Sequence, residues 1–166
     1  MKQIYADEGF SILDQLFAKI QNNDYIANQE MLDEAWRQYI NLSPSIADAL
    51  IVRPEWGDLI LDGVKTWEIR GGDTKKRGTF FLAYSETSQI FGQFDLIDSI
   101  PLTLDELKKN ENKHRIGNSD MILQVYDTPY AWVIANARRY AKPFPYTHPR
   151  GAVIWVRDIE RKNIKF

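Results

Sequence analysis

The stretch DGVKTWEIRGG, from Asp62 to Gly72, decides the fold assignment because it leads from a turn directly into an unusual strand. Two apolar side chains, Trp67 and Ile69, are spaced as in a strand that packs one face on a core. The polar residues that alternate with them are Thr66, Glu68 and Arg70. Lys65 breaks the alternation, because regular parity would place it on the apolar face. The position of this lysine is the first question that the sequence raises.

Two interpretations of Lys65 are open. In the first, Lys65 belongs to the turn and reaches the polar face of the strand, where its ammonium group meets a carboxylate and a guanidinium at the edge of a cleft. In the second, the polar residues form an ordinary solvated strand face. The first interpretation predicts a site at Lys65, Glu68 and Arg70, and the second predicts none.

The composition limits the class of protein. The chain has 166 residues, of which 44% are apolar and 13% aromatic, and this suits one folded domain with an appendage. With no cysteine and two histidines, we expect no disulfide, no metal site and no cofactor. The first residues lack the apolar segment of a signal peptide, and no run is long enough to span a membrane. We therefore expect a soluble, cytoplasmic protein without a membrane partner.

The net charge of −2 conceals an asymmetry. Residues 1–48 contain three basic and eight acidic residues, a net charge of −5. Of the totals of 21 and 23, this leaves 18 basic and 15 acidic residues after position 48, a net charge of +3. Residues 128–157 contain no acidic residue at all. The acidity belongs to the amino-terminal part, so the overall charge does not exclude a nucleic-acid partner.

The chain is predicted to contain two parts. Residues 1–46 carry apolar side chains at helical spacing and form an acidic helical extension. Its short helices cannot bury their own apolar faces, so we expect them to pack on the rest of the chain or on a second copy in a homodimer. Residues 47–166 alternate strand and helix patterns, which predicts an α+β domain.

The predicted elements of this domain are short. A helix begins at Pro54, and Thr103 with Glu106 makes a capping box for another. Residues 110–128 are polar and are predicted to form a surface loop. Besides the strand of the opening stretch, the predicted strands cover residues 47–53, 79–85, 90–100, 130–134 and 151–157.

A second segment, from Tyr130 to Gly151, combines basic and aromatic side chains. Cations neutralise phosphates and aromatic rings stack on unpaired bases, so this mixture favours single-stranded nucleic acid. The alternative is that Trp132 and Trp155 belong to the core and the arginines are solvated on a helix. Tyr146 and His148 are candidates for proton transfer, since an imidazole titrates near neutrality. The candidate nucleic-acid contacts of the whole chain are Arg53, Trp56, Lys75, Lys76, Arg77, Tyr84, Arg138, Arg139, Lys142 and Arg150.

Three blocks of sequence, in this order, resemble the ASCH domain family of the PUA-like superfamily. They are LIVRPEWGDLILDGVKTWEIR (50–70), GQFDLIDSIPLT (92–103) and YAWVIANARRYAKPFPYTHPRGAVIWV (130–156). The family's G-x-K-x-x-E-x-R motif reads here as Gly63, Lys65, Glu68 and Arg70. The resemblance implies a small stand-alone member of the prokaryotic type, with a mixed β pseudo-barrel flanked by short helices. It also implies a cleft lined by the lysine, glutamate and arginine of the motif, and leaves the helical extension unassigned.

The resemblance implies an RNA-related function, and three hypotheses stay open. The first is a metal-independent ribonuclease acting on single-stranded RNA. Lys65 and Arg70 would stabilise charge on phosphorus, and protons would be transferred by Glu68, Tyr146 or His148. The second is a reader of RNA or of a modified base, without chemistry.

The third hypothesis is an amidohydrolase that acts on an acylated nucleoside such as N4-acetylcytidine. One branch of the family has this activity and carries a threonine three residues after its lysine. The present chain has Glu68 at that position, and Thr66 is adjacent to the lysine instead. This departure ranks the amidohydrolase last of the three.

Overall fold

The computed structural model of the protein describes residues 44–161. The predicted amino-terminal helices lie outside these residues, so the extension, the homodimer and the domain boundary between residues 46 and 47 stay predictions. The strands are β1 (Ile46–Val52), β2 (Trp67–Arg70), β3 (Gly78–Tyr84), β4 (Gln89–Pro101), β5 (Tyr130–Pro145) and β6 (Trp155–Glu160). The helices are α1 (Pro54–Leu61), α2 (Leu104–Lys109), α3 (Glu111–His114) and α4 (Ser119–Val125).

All of these strands belong to one mixed sheet, in the order β2-β5-β4-β3-β1-β6. β1 pairs with β3 in parallel, and the other neighbouring strands are antiparallel. The long pair of β4 and β5 contains several register shifts, which bend the strands. Within residues 44–161, β2 and β6 are edge strands that do not pair with each other, so the sheet is open. The predicted α+β fold with short flanking helices is confirmed, but the expected barrel is not closed.

The local sequence explains how α1 leads into β2. Pro54 occupies the first turn of α1, where its ring fixes a helical φ angle and no N–H is needed. Gly63 follows the helix with a φ of +72°, a conformation that costs least without a Cβ. The chain then passes through Lys65 into β2, whose apolar face packs on α2 and α4. Lys65 therefore lies in the connection before the strand, as the first interpretation predicted.

Most aromatic residues of the segment from Tyr130 to Gly151 belong to the core. Trp132 is buried and stacks on Trp155 at a ring-centroid distance of 5.8 Å. Tyr140 and Phe144 are also buried and contact the ring of Phe81. The core alternative is therefore confirmed for Trp132, and the burial of Tyr140 and Phe144, which the sequence did not predict, likewise leaves their rings no room for a base.

Three predicted elements differ from the structure. Residues 110–128 contain α3 and α4 instead of a surface loop. β5 continues to Pro145, because Pro143 falls where the pairing with β4 is interrupted and no ladder hydrogen bond is lost. β6 covers residues 155–160 and not 151–157. By contrast, the capping box of Thr103 and Glu106 is present at the start of α2.

Candidate functional site

A cleft of about 670 Å³ opens where β1 ends, α1 begins and β2 passes α4. Its volume lies in the range of sites that bind small molecules and cofactors. The floor contains the three motif residues Lys65, Glu68 and Arg70. The other residues that line it are Ile51, Val52, Arg53, Trp56, Ile69, Ser85, Glu86, Ile116, Met121, Ile122, Val125, Tyr126 and Val153.

Lys65 is almost completely buried at this floor, with 1% of its surface exposed. Its Nζ donates hydrogen bonds of 2.7 Å to the backbone oxygens of Trp67 and His114. The same nitrogen lies 3.4 Å from a carboxylate oxygen of Glu68 and 5.1 Å from the ring centroid of Trp56. The two backbone oxygens use two of the three N–H donors of the ammonium group, which leaves the third for the ion pair with Glu68.

Burial sets the ionisation of Lys65. Removal from water lowers the pKa of the Lys65 ammonium below its ordinary value, because the charged form loses its hydration. The carboxylate of Glu68 opposes this shift, and the nearby Arg70 guanidinium adds to it. The net effect is a lowered pKa, so the Lys65 ammonium group loses its proton more readily than it would in water.

Glu68 and Arg70 lie side by side on the polar face of β2. Arg70 Nε is 3.1 Å from Glu68 Oε1, and Arg70 Nη2 donates to the backbone oxygen of Ile51 at 3.0 Å. The Nε contact is electrostatic only, since its N–H finds no hydrogen-bond acceptor within residues 44–161. The guanidinium also lies 5.8 Å from the ring centroid of Trp132. Both side chains are mostly buried, which excludes the solvated strand face of the second interpretation.

His114 supports the lysine from α3, a role that the sequence did not predict. Its ring is fully buried: Nε2 donates to the backbone oxygen of Leu107 at 2.9 Å, and Nδ1 accepts from the backbone N–H of Ile116 at 3.1 Å. One nitrogen donates and the other accepts, so the imidazole is neutral. Burial lowers the pKa of His114 and keeps it in this form. The ring fixes α3, whose last carbonyl group binds Lys65.

One wall of the cleft comes from the segment that was predicted to be a loop. Tyr126 packs against Gly71, where any Cβ would come within 2.5 Å of its ring. Met121 and Val125 of α4 are exposed at the rim of the cleft. Val153 is also exposed there, on the loop between β5 and β6. The i, i+4 spacing of Met121 with Val125 and of Ile122 with Tyr126 could have indicated this helix.

Two predicted nucleic-acid contacts line the cleft, Arg53 and Trp56. Arg53 is exposed and Trp56 is half-buried. The other eight do not line it. Lys75, Lys142 and Arg150 are exposed elsewhere, and Arg138 is half-buried on β5.

The remaining four predicted contacts pair with protein groups. Lys76 binds Asp48 at 2.5 Å and lies over the Trp155 ring, and Arg77 binds Asp98. Tyr84 is buried, and Arg139 contacts Asp58 of α1 and Asp62 directly after the helix. Burial argues against base stacking by Tyr84, and the other roles stay predictions.

Tyr146 and His148 contact each other and do not line the cleft. His148 Nε2 lies 3.0 Å from the backbone oxygen of Ala152, so it carries the proton. Nδ1 then accepts from the Tyr146 hydroxyl at 3.0 Å. The pair therefore lies outside the lining of this cleft, and its part in proton transfer stays a prediction.

Neither a cluster of metal ligands nor a membrane-spanning helix is found among residues 44–161. Between residues 44 and 161, no three histidine, aspartate or glutamate side chains come together as a metal site would require. None of the helices in that part of the chain has the length and apolar character needed to cross a bilayer.

Comparison with known proteins gives one family. A family model of the ASCH domain matches residues 50–144. Two crystal structures of mutants of ZmASCH from Zymomonas mobilis are similar in fold. A serine-to-alanine mutant matches with a TM-score of 0.56 and 13% identity, over 67% of this chain and 88% of that one. A tyrosine-to-phenylalanine mutant matches with a TM-score of 0.53 and 12% identity, over 60% and 75% respectively. No curated protein sequence matches significantly.

Proposed function

The chain belongs to the ASCH domain family, whose fold is PUA-like, and we propose that it binds RNA by taking one unpaired nucleotide into the cleft. The pairing of Glu68 and Arg70 on the cleft floor carries this proposal. A carboxylate accepts hydrogen bonds from the amino and imino groups of a base, and a guanidinium donates to its ring nitrogens and carbonyl oxygens. Side by side, the two groups match the edge of an unpaired base.

The walls suit the rest of a nucleotide. Trp56 and Tyr126 present half-buried aromatic rings to the cleft, and such rings stack on bases of any sequence. Arg53 lies exposed at the same cleft and supplies a cation for a phosphate group. A base would therefore meet polar groups at the floor, aromatic rings at the walls and a cation near the mouth.

Lys65 has an indirect part in this proposal. Its ammonium donors are all occupied by protein oxygens, so a ligand does not contact it without displacing one of them. It holds the Glu68 carboxylate from one side while Arg70 holds it from the other. This fixes the carboxylate before the base arrives, which lowers the entropy cost of binding.

Cleavage of the bound RNA, the first of the predicted activities, remains a hypothesis. Metal-independent hydrolysis needs a base for the 2′-hydroxyl, a cation at phosphorus and an acid for the leaving oxygen. Arg70 and Glu68 are available in the cleft, but Tyr146 and His148 are not among its lining residues. The geometry therefore favours a reader of RNA or of a modified base over a ribonuclease.

An amidohydrolase is the second candidate function, and one observation favours it. Lys65 is a buried lysine with a lowered pKa in a cleft of small-molecule size, which is how proteins prepare an amine for chemistry. The substrate would be an acylated nucleoside. Glu68 in place of the branch's threonine still ranks this activity below binding.

The test is a binding and cleavage assay on labelled single-stranded RNA and matched DNA, in EDTA and over a series of salt concentrations. We compare wild-type protein with Glu68→Gln, which keeps the shape of the side chain and removes its charge. The matched control is Glu160→Gln, an exposed glutamate on β6 that does not line the cleft. We expect roughly tenfold weaker RNA binding for Glu68→Gln, in line with the loss of one base contact, and no change for Glu160→Gln.

The outcomes separate the candidate functions. Intact RNA that binds to wild type and less well to Glu68→Gln supports the reader. Shortened RNA that needs Glu68, with DNA left intact, supports the ribonuclease. If no RNA binds at any salt concentration, the proposal is wrong, and hydrolysis of acylated nucleosides by wild type and Lys65→Ala is the next measurement.

A further inference from the structure

A second charged cluster contacts α1 outside the cleft. Arg139 of β5 binds two carboxylates towards the carboxyl end of this helix: Nη1 lies 2.9 Å from Oδ1 of Asp58 in α1, and Nη2 lies 2.9 Å from Oδ1 of Asp62, the C-cap residue of the helix. Asp58 and Asp62 are four residues apart, so they share one face of the helix. One planar guanidinium therefore spans a full turn of α1, a geometry that a lysine cannot reproduce.

Tyr84 of β3 completes this cluster. Its hydroxyl donates to Asp58 Oδ1 at 2.6 Å and accepts from Arg139 Nη1 at 3.2 Å. Its ring is buried, stacks on Phe91 at 3.9 Å and fills the space beside Gly57. We call Asp58, Asp62, Tyr84 and Arg139 the α1 cluster. It ties the helix to two strands of the sheet.

The same helix positions two parts of the cleft. Trp56 projects from its first turn into the cleft and lies 5.1 Å from the ammonium of Lys65. At its other end, the backbone oxygen of Leu59 accepts hydrogen bonds of 2.9 Å and 2.8 Å from the N–H groups of Val64 and Lys65. A shift of α1 on the sheet would therefore move an aromatic wall and the lysine together.

We propose that Arg139 is a positioning residue of the cleft, which acts by holding α1 on the sheet so that Trp56 stays against Lys65. For its effect on RNA the inference rests on the proposed function, but its effect on Trp56 does not. It replaces the expectation that Arg139 contacts a phosphate, because the guanidinium already binds two carboxylates and a hydroxyl group.

The first measurement is made without any ligand. The indole N–H resonance of Trp56 is identified by its loss in Trp56→Phe and followed by NMR in Arg139→Ala and Arg139→Lys. We expect it to shift in Arg139→Ala, with partial return in Arg139→Lys, while the indole resonances of Trp67 and Trp132 stay in place. The matched control is Arg157→Ala, an exposed arginine on β6, which should shift none of them.

The second measurement is RNA affinity as a function of salt. Arg139→Ala should bind roughly threefold to tenfold more weakly, with an unchanged slope of affinity against salt. In the double variant, Arg139→Ala should weaken RNA binding no further than Trp56→Ala alone does, since both changes disturb the same wall of the cleft. Arg157→Ala should bind as wild type does.

Each outcome decides the inference. An unmoved Trp56 resonance in Arg139→Ala overturns it, whether or not RNA binds. A salt slope that falls by about one unit also overturns it, because Arg139 would then contact a phosphate. If wild type binds no RNA, the proposed function fails, and the Trp56 resonance alone still tests the positioning role.

Discussion

Two charged clusters contact the segment around α1, and they differ in burial. The cleft cluster, consisting of Lys65, Glu68 and Arg70, lies at the floor of the cleft with at most 18% of any side chain exposed. In the α1 cluster, the ion-paired side chains of Arg139, Asp58 and Asp62 are 39%, 54% and 57% exposed. The ion-pair distances are nevertheless similar, between 2.9 and 3.4 Å.

The difference shows that distance does not decide what an ion pair contributes. Buried charges lose their hydration, so each member of the cleft cluster depends on its partners. The charges of an exposed pair stay largely hydrated whether or not they are paired, so such pairs contribute little to the free energy of unfolding. Under the proposed function, the α1 cluster contributes geometry, whereas the cleft cluster keeps buried polar groups ready for a ligand at a cost in stability.

The largest expected effect is the loss of stability when the buried cleft cluster loses its carboxylate. Glu68→Ala leaves Lys65 and Arg70 without their carboxylate, and we expect a loss of about 3–5 kcal/mol in the free energy of unfolding, as for other broken buried pairs. The measurement is chemical denaturation followed by circular dichroism. Asp98→Ala is the control, since it removes the partner of Arg77 in an exposed pair of similar distance, 3.2 Å. Its expected cost is below about 1 kcal/mol, and equal costs for the two variants would contradict the role of burial.

The sequence predicted the members of the cleft cluster but not their burial. The turn at Gly63 and the alternation in β2 were enough to place Lys65, Glu68 and Arg70 together. Their burial depends on α3 and α4, and this part of the chain was predicted to be a loop. α3 spans only four residues, and α4 offers only the two apolar pairs Met121–Val125 and Ile122–Tyr126, a weak helical signal within a polar stretch.

The basic and aromatic segment was harder to interpret for a different reason. Composition shows that cations and rings are close in sequence, but not which face of a strand each occupies. The register shifts between β4 and β5 change that assignment along the strand, because an odd number of extra residues reverses the parity. The sequence pattern therefore did not indicate that Arg139 contacts α1 or that Phe144 packs in the core.

A change at Gly57 tests the packing beneath the α1 cluster. A Cβ at this position would overlap the ring of Tyr84, which cannot move easily because it stacks on Phe91. Gly57→Ala gains about 1 kcal/mol of helix propensity, but overpacking costs about 1–3 kcal/mol, so we expect a net loss of up to about 2 kcal/mol. Gly72→Ala is the control, since nothing lies within 4 Å of its Cβ. Thermal unfolding measures both variants, and a stabilised Gly57→Ala would show that α1 is free to shift.

A pH experiment tests the support that His114 gives to the cleft cluster. Its pKa is lowered in the folded protein, so the unfolded chain takes up a proton first as the pH falls. The stability due to the neutral ring is therefore present above the unfolded pKa of about 6.5 and is lost below it. One proton changes the free energy of unfolding by at most about 1.4 kcal/mol per pH unit.

The variant for this experiment is His114→Gln, whose amide donates and accepts but does not titrate between pH 7 and 5. Its free energy of unfolding should fall less between these pH values than that of wild type. Thr147→Ser, a change at an exposed residue that does not titrate, is the control and should follow the wild-type curve. Parallel curves for wild type and His114→Gln would show that His114 does not carry the pH dependence.

The smallest loss of stability is expected on breaking an exposed ion pair of the α1 cluster. The dependence of this loss on salt concentration distinguishes it from the loss at a buried pair. Asp62→Asn removes one of the two carboxylates that bind Arg139, and we expect a loss of about 0.5 kcal/mol at low ionic strength. This loss should vanish near 1 M salt, where the screening length is about 3 Å. The larger loss in Glu68→Ala should persist, because solvent ions do not reach a buried pair. A salt-dependent effect at Glu68 would mean that the cleft floor is open to solvent, and that Lys65 is held by exchangeable contacts like those of Arg139.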